Sequence, residues 1–373
     1  MSTYLQVIEV VGGAIVLLLT FFDLFETVVL PRPAVRKFQL TRIVVPTMWR
    51  AWRWVALRSS RVERSESRMA AFGPAALIIM VLVWGLALTL GYALVIYGFR
   101  DEFHPIVVDF PDAFYVSATT LVPLSYGDFV PEVGPARLLI VLESANGVAY
   151  AAVAITLLFE LYGSFRSREE AVVALDALAG APASAVQLLE TAKEKRMDSI
   201  LEATFEEWRR WAAMVLESHL AYPLLFYFRS SHDNEAWINS FGAVMDAATL
   251  VLTSIETEPS AGSAKLFLTV GNHMVEDLAW LLRFKAEPDA IVERDEYVAA
   301  IRRLQAAGYA ARDGDEHWQH FIKIRSKYAT VLNQMAQWLA TPPAPWVGDR
   351  SYLPHRQRAR RRRPAATASK AAS

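Results

Sequence analysis

Residues 70–99 form a run of thirty amino acids without a single charged side chain. About 20 apolar residues in a helix span the hydrocarbon core of a bilayer, so this run predicts a transmembrane helix. The whole chain is 54% hydrophobic and 21% charged, too apolar for an ordinary soluble protein and too charged for membrane helices alone. We therefore expect a membrane-spanning part followed by a soluble part. The absence of cysteine excludes disulfides and thiolate metal sites.

Two further segments are long and apolar enough to span. Residues 135–163 qualify although Glu143 and Glu160 interrupt them, and residues 5–30 carry acidic side chains only near their ends. Acidic groups near helix ends can extend toward the membrane interface. Residues 5–30 have neither a preceding basic region nor a small-x-small cleavage pattern, so we interpret them as a span rather than a signal peptide.

Basic side chains are concentrated in two places, between the first two predicted spans and in the last residues of the chain. Residues 32–68 contain ten Lys and Arg against two acids, and the residues from 350 onward contain eight against none. Short basic loops stay cytoplasmic, and the tryptophans at 49, 52 and 54 suit a helix at the membrane surface. This predicts an N-terminus outside, an outer loop at 100–134 and a cytosolic C-terminus. Anionic lipid headgroups are the expected partners of the basic loop and the disordered tail, with an acidic protein surface as the alternative for the tail and no nucleic acid.

The predicted outer loop contains signals for a short helix, which a polar linker would lack. Asp109, Pro111 and Asp112 are helix-start signals, the apolar run AFYVSATTL follows, and Pro123 ends it. The pattern predicts a span, a short helix, an extended segment and a second span. Non-helical backbone at membrane depth is tolerated only where protein buries it or where it lines an aqueous path. The C-terminal dipole of a short helix favours a cation, and successive carbonyls can replace the hydration shell of an ion.

The short helix leads into the stretch SATTLVPLSYGDFVP at residues 117–131, in which a Thr-Thr pair precedes Tyr-Gly-Asp. With this stretch between two spans, residues 70–163 resemble the pore module of the potassium-channel superfamily. The resemblance implies an all-α membrane protein whose pore-loop channel module (outer helix, pore helix, filter, inner helix) follows an extra transmembrane helix and precedes a cytosolic helical bundle. It also implies a homotetramer in the bacterial inner membrane, with K⁺ or another monovalent cation as the permeant ion and no further cofactor. The residues matched to the filter are Pro123, Leu124, Ser125, Tyr126, Gly127 and Asp128, with Thr119 and Thr120 at the end of the pore helix. On the flanking helices, the matched residues are Arg137, the hinge glycine Gly147, and the aromatic residues Phe114 and Tyr115.

Two filter positions depart from the family pattern. Pro123 supplies no hydroxyl where the family has threonine, and Ser125 replaces the first glycine. A side chain at a residue of positive φ costs about 1 kcal/mol per subunit, so potassium selectivity is in question. The alternative function is a non-conducting pore-fold scaffold or sensor that signals through its cytosolic helices.

Two inner-helix residues each have two interpretations. Gly147 is either a gating hinge or a site of close helix packing. Glu143, at mid-membrane, is either a functional group near the filter or the partner of another polar residue.

The sequence after the pore module predicts helices and contains no recognisable catalytic or cofactor-binding motif. Apolar residues recur at helical spacing in 198–219, 234–256, 263–284, 293–309 and 315–340. Nucleotide-binding, P-loop, zincin and EF-hand motifs are absent, so we expect no enzyme. His317 and His320 are at metal-ligand spacing, but a solvated helix face is the commoner explanation and we predict no metal.

These patterns divide the chain into five parts. They are an N-terminal transmembrane helix (1–31), a basic cytosolic or interfacial segment (32–69), a pore domain (70–165), a cytosolic α-helical domain (166–349) and a basic tail (350–373).

Overall fold

The computed structural model describes residues 2–28, 40–58, 67–124, 126–195, 199–230, 236–256, 258–284 and 292–341. Filter residue Ser125, the basic tail and the basic stretches 32–39 and 59–66 lie outside the described residues. The chain divides into two compact units, Met1–Phe165 with Leu220–Phe228, and Arg166–His219 with Arg229–Ser373. The grouping of 220–228 with the first unit has no signal in the sequence.

The first unit contains three helices that are long and apolar enough to cross a membrane. This confirms the prediction of an all-α membrane fold. The elements are α1 (Ser2–Val28), α2 (Leu40–Leu57), α3 (Phe72–Gly98), a 3-10 helix (Arg100–Glu102), β1 (Phe103–His104), α4 (Phe110–Leu121), β2 (Val130–Pro131), the first part of α5 (Gly134–Ala179) and a second 3-10 helix (Pro223–Tyr227). The two-residue strands pair antiparallel in the outer loop and were not predicted.

Polar contacts along its length hold α1 against α3. Trp84 Nε1 donates to Asp23 Oδ2 at 2.7 Å in a buried position, and Arg100 pairs with Glu9 at 2.7 Å. Asp23 is only 3% exposed, so the expectation that it extends to the interface is wrong; the tryptophan supplies a donor inside the protein instead. The first helix is thus an integral part of the unit.

An aromatic cluster lies at the start of α3. The ring of Trp49 on α2 is 4.8 Å from that of Phe72 and 5.5 Å from that of Tyr227. Trp49 and Phe72 are fully buried, and aromatic pairs at this spacing add to the stabilisation from burial. The cluster explains why residues 220–228 belong to the first unit.

Helix α5 is longer than the apolar segment that predicted it. It continues from Gly134 to Ala179, which is 46 residues. At about 1.5 Å per residue it is roughly 69 Å long, more than twice the thickness of a bilayer core.

The second unit is a helical bundle. Besides the end of α5 it contains α6 (Ala185–Glu194), α7 (Ile200–Ala221), α8 (Trp237–Ser254), α9 (Ala261–Leu282), α10 (Arg294–Ala306), α11 (Asp315–Arg325) and α12 (Ala329–Trp338). The last two residues of α7, after His219, belong to the first unit. Helix α8 is buried along nearly its whole length. The two carboxylate oxygens of its Asp246 share one bifurcated hydrogen bond from Arg325 Nε, at 3.0 Å each, and Oδ1 also accepts a 2.6 Å hydrogen bond from the Tyr328 hydroxyl.

The prediction of one helix over 315–340 is wrong. The chain turns at 326–328 between α11 and α12, and no glycine or proline marks that turn in the sequence. His317 is one of the two histidines at metal-ligand spacing, and its Nδ1 lies 2.7 Å from the Thr253 carbonyl oxygen. No group of three or more His, Cys, Asp or Glu that could hold a metal occurs among the residues described.

His219 is buried in the same unit. Its Nδ1 lies 2.9 Å from the Val215 carbonyl and its Nε2 lies 3.3 Å from Arg168 Nη1. These contacts fit the neutral tautomer that carries its proton on Nδ1. Burial, together with the adjacent Arg168 charge, lowers the pKa of His219 from 6.5 to about 3.

Candidate functional site

Helix α4 begins and ends where the sequence signals place its ends. The Asp109 side chain accepts a 2.9 Å hydrogen bond from the Asp112 N–H and caps the first turn. The helix ends at Leu121, so Thr119 and Thr120 lie in its last turn. The Thr119 hydroxyl lies 2.9 Å from the Tyr115 carbonyl, and the Thr120 side chain is buried.

A compact apolar cluster holds α4 between α3 and α5. Its buried members are Ile96, Phe103, Val107, Ala113, Val116 and Ala136. The adjacent outer loop caps the next helix, because Glu102 Oε2 accepts a 3.2 Å hydrogen bond from the Ala136 N–H near the start of α5. A carboxylate at a helix N-terminus also interacts favourably with the helix dipole. The position of α4 is therefore determined by apolar packing on two helices.

The segment after α4 turns away from the helix and is exposed. The Leu124 N–H donates to the Thr119 carbonyl at 2.8 Å. Of the predicted filter residues, Pro123, Leu124, Tyr126, Gly127 and Asp128 are exposed in the single chain. Gly127 has φ of +78°, a backbone conformation that disfavours other residues. Because Ser125 lies outside the described residues, the expected strain at that position stays a prediction.

Two contacts tie the outer end of this segment back to α4. The Tyr115 side chain interacts electrostatically with Asp128, and the Tyr115 ring lies 6.4 Å from that of Phe129 in an edge-to-face arrangement. Phe114, the other predicted aromatic residue, is half-buried. Arg137, at the start of α5, donates to the Pro131 carbonyl at 3.1 Å. The end of the predicted filter segment is thus braced by α4 and by the start of α5.

Gly147 lies where α5 passes the end of α4. A Cβ atom built on Gly147 would be 1.9 Å from the carbonyl oxygen of Leu121. Carbon and oxygen atoms normally approach no closer than about 3.3 Å even in weak Cα–H···O contacts. Close packing is therefore a sufficient reason for a glycine here, and the role of hinge stays a prediction.

Glu143, one helical turn before Gly147, is fully buried. Ser117 on α4 lies with its Oγ 2.6 Å from Glu143 Oε1 and 2.9 Å from the Thr89 carbonyl on α3. A single serine therefore connects three helices. A polar partner was one of the two interpretations of Glu143, and the sequence did not identify it, because nothing local distinguishes Ser117 from other pore-helix residues.

Two more polar contacts between α3 and α5 had no signal in the sequence. The Asn146 side-chain amide donates to the Tyr92 hydroxyl, and the Tyr150 hydroxyl donates to the Val81 carbonyl. In apolar surroundings such bonds satisfy groups that have no water to bind.

Residues 77–163 match a family model described as "Ion channel". The match runs from Leu77 in α3 to Gly163 in α5 and includes the whole of α4 and the segment that follows it. No curated protein matches the chain, and no solved structure matches it.

Proposed function

We propose that this chain, whose residues 77–163 match an ion channel family model, forms a homotetrameric pore for monovalent cations in the bacterial inner membrane. K⁺ is the first candidate for the permeant ion. The carbonyls of residues 123–127 would coordinate it, and Asp128 would anchor the outer end of the filter.

One observation carries the proposal. Within the family match, a capped pore helix ends at Leu121 and leads into an exposed segment, and Tyr115 of that helix contacts Phe129 and interacts with Asp128 beyond it. The C-terminal end of a helix carries partial negative charge that favours a cation beyond it. An exposed chain at membrane depth is compatible with a bilayer only where protein covers it or where it lines water.

Exposure in the single chain supports assembly with further copies. Leu124 is 53% exposed and Tyr126 is 68% exposed. The inner helix also presents exposed apolar residues, among them Leu138, Val141 and Val148. In a bilayer, apolar surface of this kind contacts lipid or another chain. Four chains around one axis would cover it and bring four filter segments together.

Helix α2 supports the proposed orientation. Trp54 and Leu57 are exposed, and the Arg58 guanidinium lies 3.4 Å from the centre of the Trp54 ring. Exposed apolar side chains beside basic ones are typical of a helix at an anionic membrane surface. We propose that α2 binds lipid headgroups on the cytosolic face, with the N-terminus outside.

Ion flux from liposomes tests this proposal. Purified protein in vesicles with a potassium gradient is expected to give flux, and Gly127→Ala is expected to reduce it, because a side chain at positive φ costs about 1 kcal/mol in each subunit. The matched control is Gly134→Ala, since a Cβ at Gly134 meets no atom within 4 Å. Tetramers without flux of any monovalent cation would favour the non-conducting scaffold instead.

A further inference from the structure

Glu143 is buried in the membrane-spanning unit without a cation to balance it. Its side chain is 0% exposed, and its Oε2 has no hydrogen-bond partner. Among the described residues, no Lys, Arg or His forms an ion pair with it, and hydrogen bonding to Ser117 is its one favourable polar interaction. An ionised carboxylate in such a place is far less favourable than a neutral acid.

The hydrogen-bond geometry around Ser117 requires a second proton. Ser117 Oγ is 2.6 Å from Glu143 Oε1 and 2.9 Å from the Thr89 carbonyl oxygen. A serine hydroxyl carries one proton and a carbonyl carries none. If Glu143 were ionised, one of these two short oxygen–oxygen contacts would contain no proton. If Glu143 is a neutral acid, it donates to Ser117, Ser117 donates to Thr89, and both contacts are hydrogen bonds.

We propose that Glu143 is a proton-binding site whose neutral acid links the inner helix, through Ser117 of the pore helix, to the Thr89 carbonyl of the outer helix. Loss of that proton at alkaline pH weakens conduction. The statement about conduction rests on the proposed channel function, whereas the statement about the proton does not.

Few other titratable groups face this site. On the outer helix, Tyr92 interacts electrostatically with Glu143, and its hydroxyl accepts from Asn146. The pore helix contributes Ser117, which does not titrate; its titratable residues Asp112 and Tyr115 lie at the capped end and at the Asp128 contact. No other acidic side chain on the described part of the inner helix is buried within the first unit. Titration at this place therefore belongs to Glu143.

Deprotonation has a defined structural consequence. An ionised Glu143 accepts the hydrogen bond from the single Ser117 hydroxyl proton, so the hydrogen bond from Ser117 to the Thr89 carbonyl is lost. Ser117 lies one helical turn before Leu121, where the pore helix ends. The pore helix then loses one of its attachments to the outer helix in each subunit, and water or a cation must approach the new charge.

Infrared difference spectroscopy tests the proton directly. The carbonyl stretch of a protonated carboxylic acid, which carboxylates lack, is expected in wild-type protein at neutral pH and missing in Glu143→Gln. Ser117→Ala is expected to shift this band, because the acid loses its hydrogen-bond acceptor. Absence of the band, or a band that Ser117→Ala leaves unmoved, would overturn the proposal. The Ser117→Ala measurement keeps the test decisive if Glu143→Gln fails to fold.

Liposome flux tests the consequence. Wild-type flux is expected to fall at alkaline pH by roughly fivefold, the equivalent of one neutral hydrogen bond, while Glu143→Gln keeps its flux at both pH values. Equal alkaline loss in both proteins would overturn the regulatory statement. A wild-type protein with the infrared band but no flux at any pH would refute the channel function and leave the proton site standing.

Discussion

Replacing Gly147 with alanine is the most direct test of how the inner helix meets the pore helix. The new Cβ would lie 1.9 Å from the Leu121 carbonyl oxygen, against a normal minimum of about 3.3 Å. The two helices must therefore separate locally by roughly 1.4 Å. The opposing atom belongs to the backbone, so no side-chain rotation can relieve the overlap.

The displacement reaches the polar contact one turn away. Glu143 Oε1 and Ser117 Oγ are 2.6 Å apart, and an added separation of roughly 1.4 Å would exceed the range of a hydrogen bond. Overpacking of this kind costs about 1–3 kcal/mol, and the lost hydrogen bond adds about 1 kcal/mol. We expect Gly147→Ala to lower the thermal stability of the detergent-solubilised protein and to reduce liposome flux.

Gly163→Ala is the matched control in the same helix. A Cβ at Gly163 meets no atom within 4 Å, and alanine in a helix interior is favoured over glycine by about 0.5–1 kcal/mol. The control is therefore expected to melt at the wild-type temperature or higher. Equal melting temperatures and equal flux for the two variants would refute the close-packing account of Gly147.

Three further changes test other parts of the molecule. Pro123→Thr combined with Ser125→Gly is expected to raise potassium preference over sodium, because it supplies the hydroxyl and the glycine of the family pattern; an unchanged reversal potential in mixed salt would contradict this. Tyr115→Phe removes the hydroxyl that interacts with Asp128 and is expected to lower flux without loss of folded tetramer on size exclusion, whereas wild-type flux would count against the brace. His219 stays neutral in the folded state, with its pKa lowered from 6.5 to about 3, while the unfolded histidine binds a proton below about pH 6.5. The free energy of unfolding should therefore fall by about 1.4 kcal/mol per pH unit as the pH drops from 6.5 toward about 3. His219→Gln should remove this slope in denaturant titrations.

The candidate site divides into residues that the sequence located and residues that it did not. Asp109, Pro111 and Pro123 mark the start and end of the pore helix by local rules, and the helix lies between them. Gly127 adopts the positive φ that a filter glycine suggests. By contrast, Ser117 reads as an ordinary polar residue in an apolar helix, since its partners are 26 and 28 positions away.

The sequence alone determined the three membrane spans, the short helix between two of them and the position of the segment that follows. Each of these depends on hydrophobic length, capping or proline geometry, which act within one stretch of chain. Only the tertiary structure decided that residues 220–228 join the membrane-spanning unit, that Gly147 lies against the Leu121 carbonyl and that Glu143 is bound through Ser117. Those features depend on distances between residues far apart in sequence, and local composition contains no information about such distances.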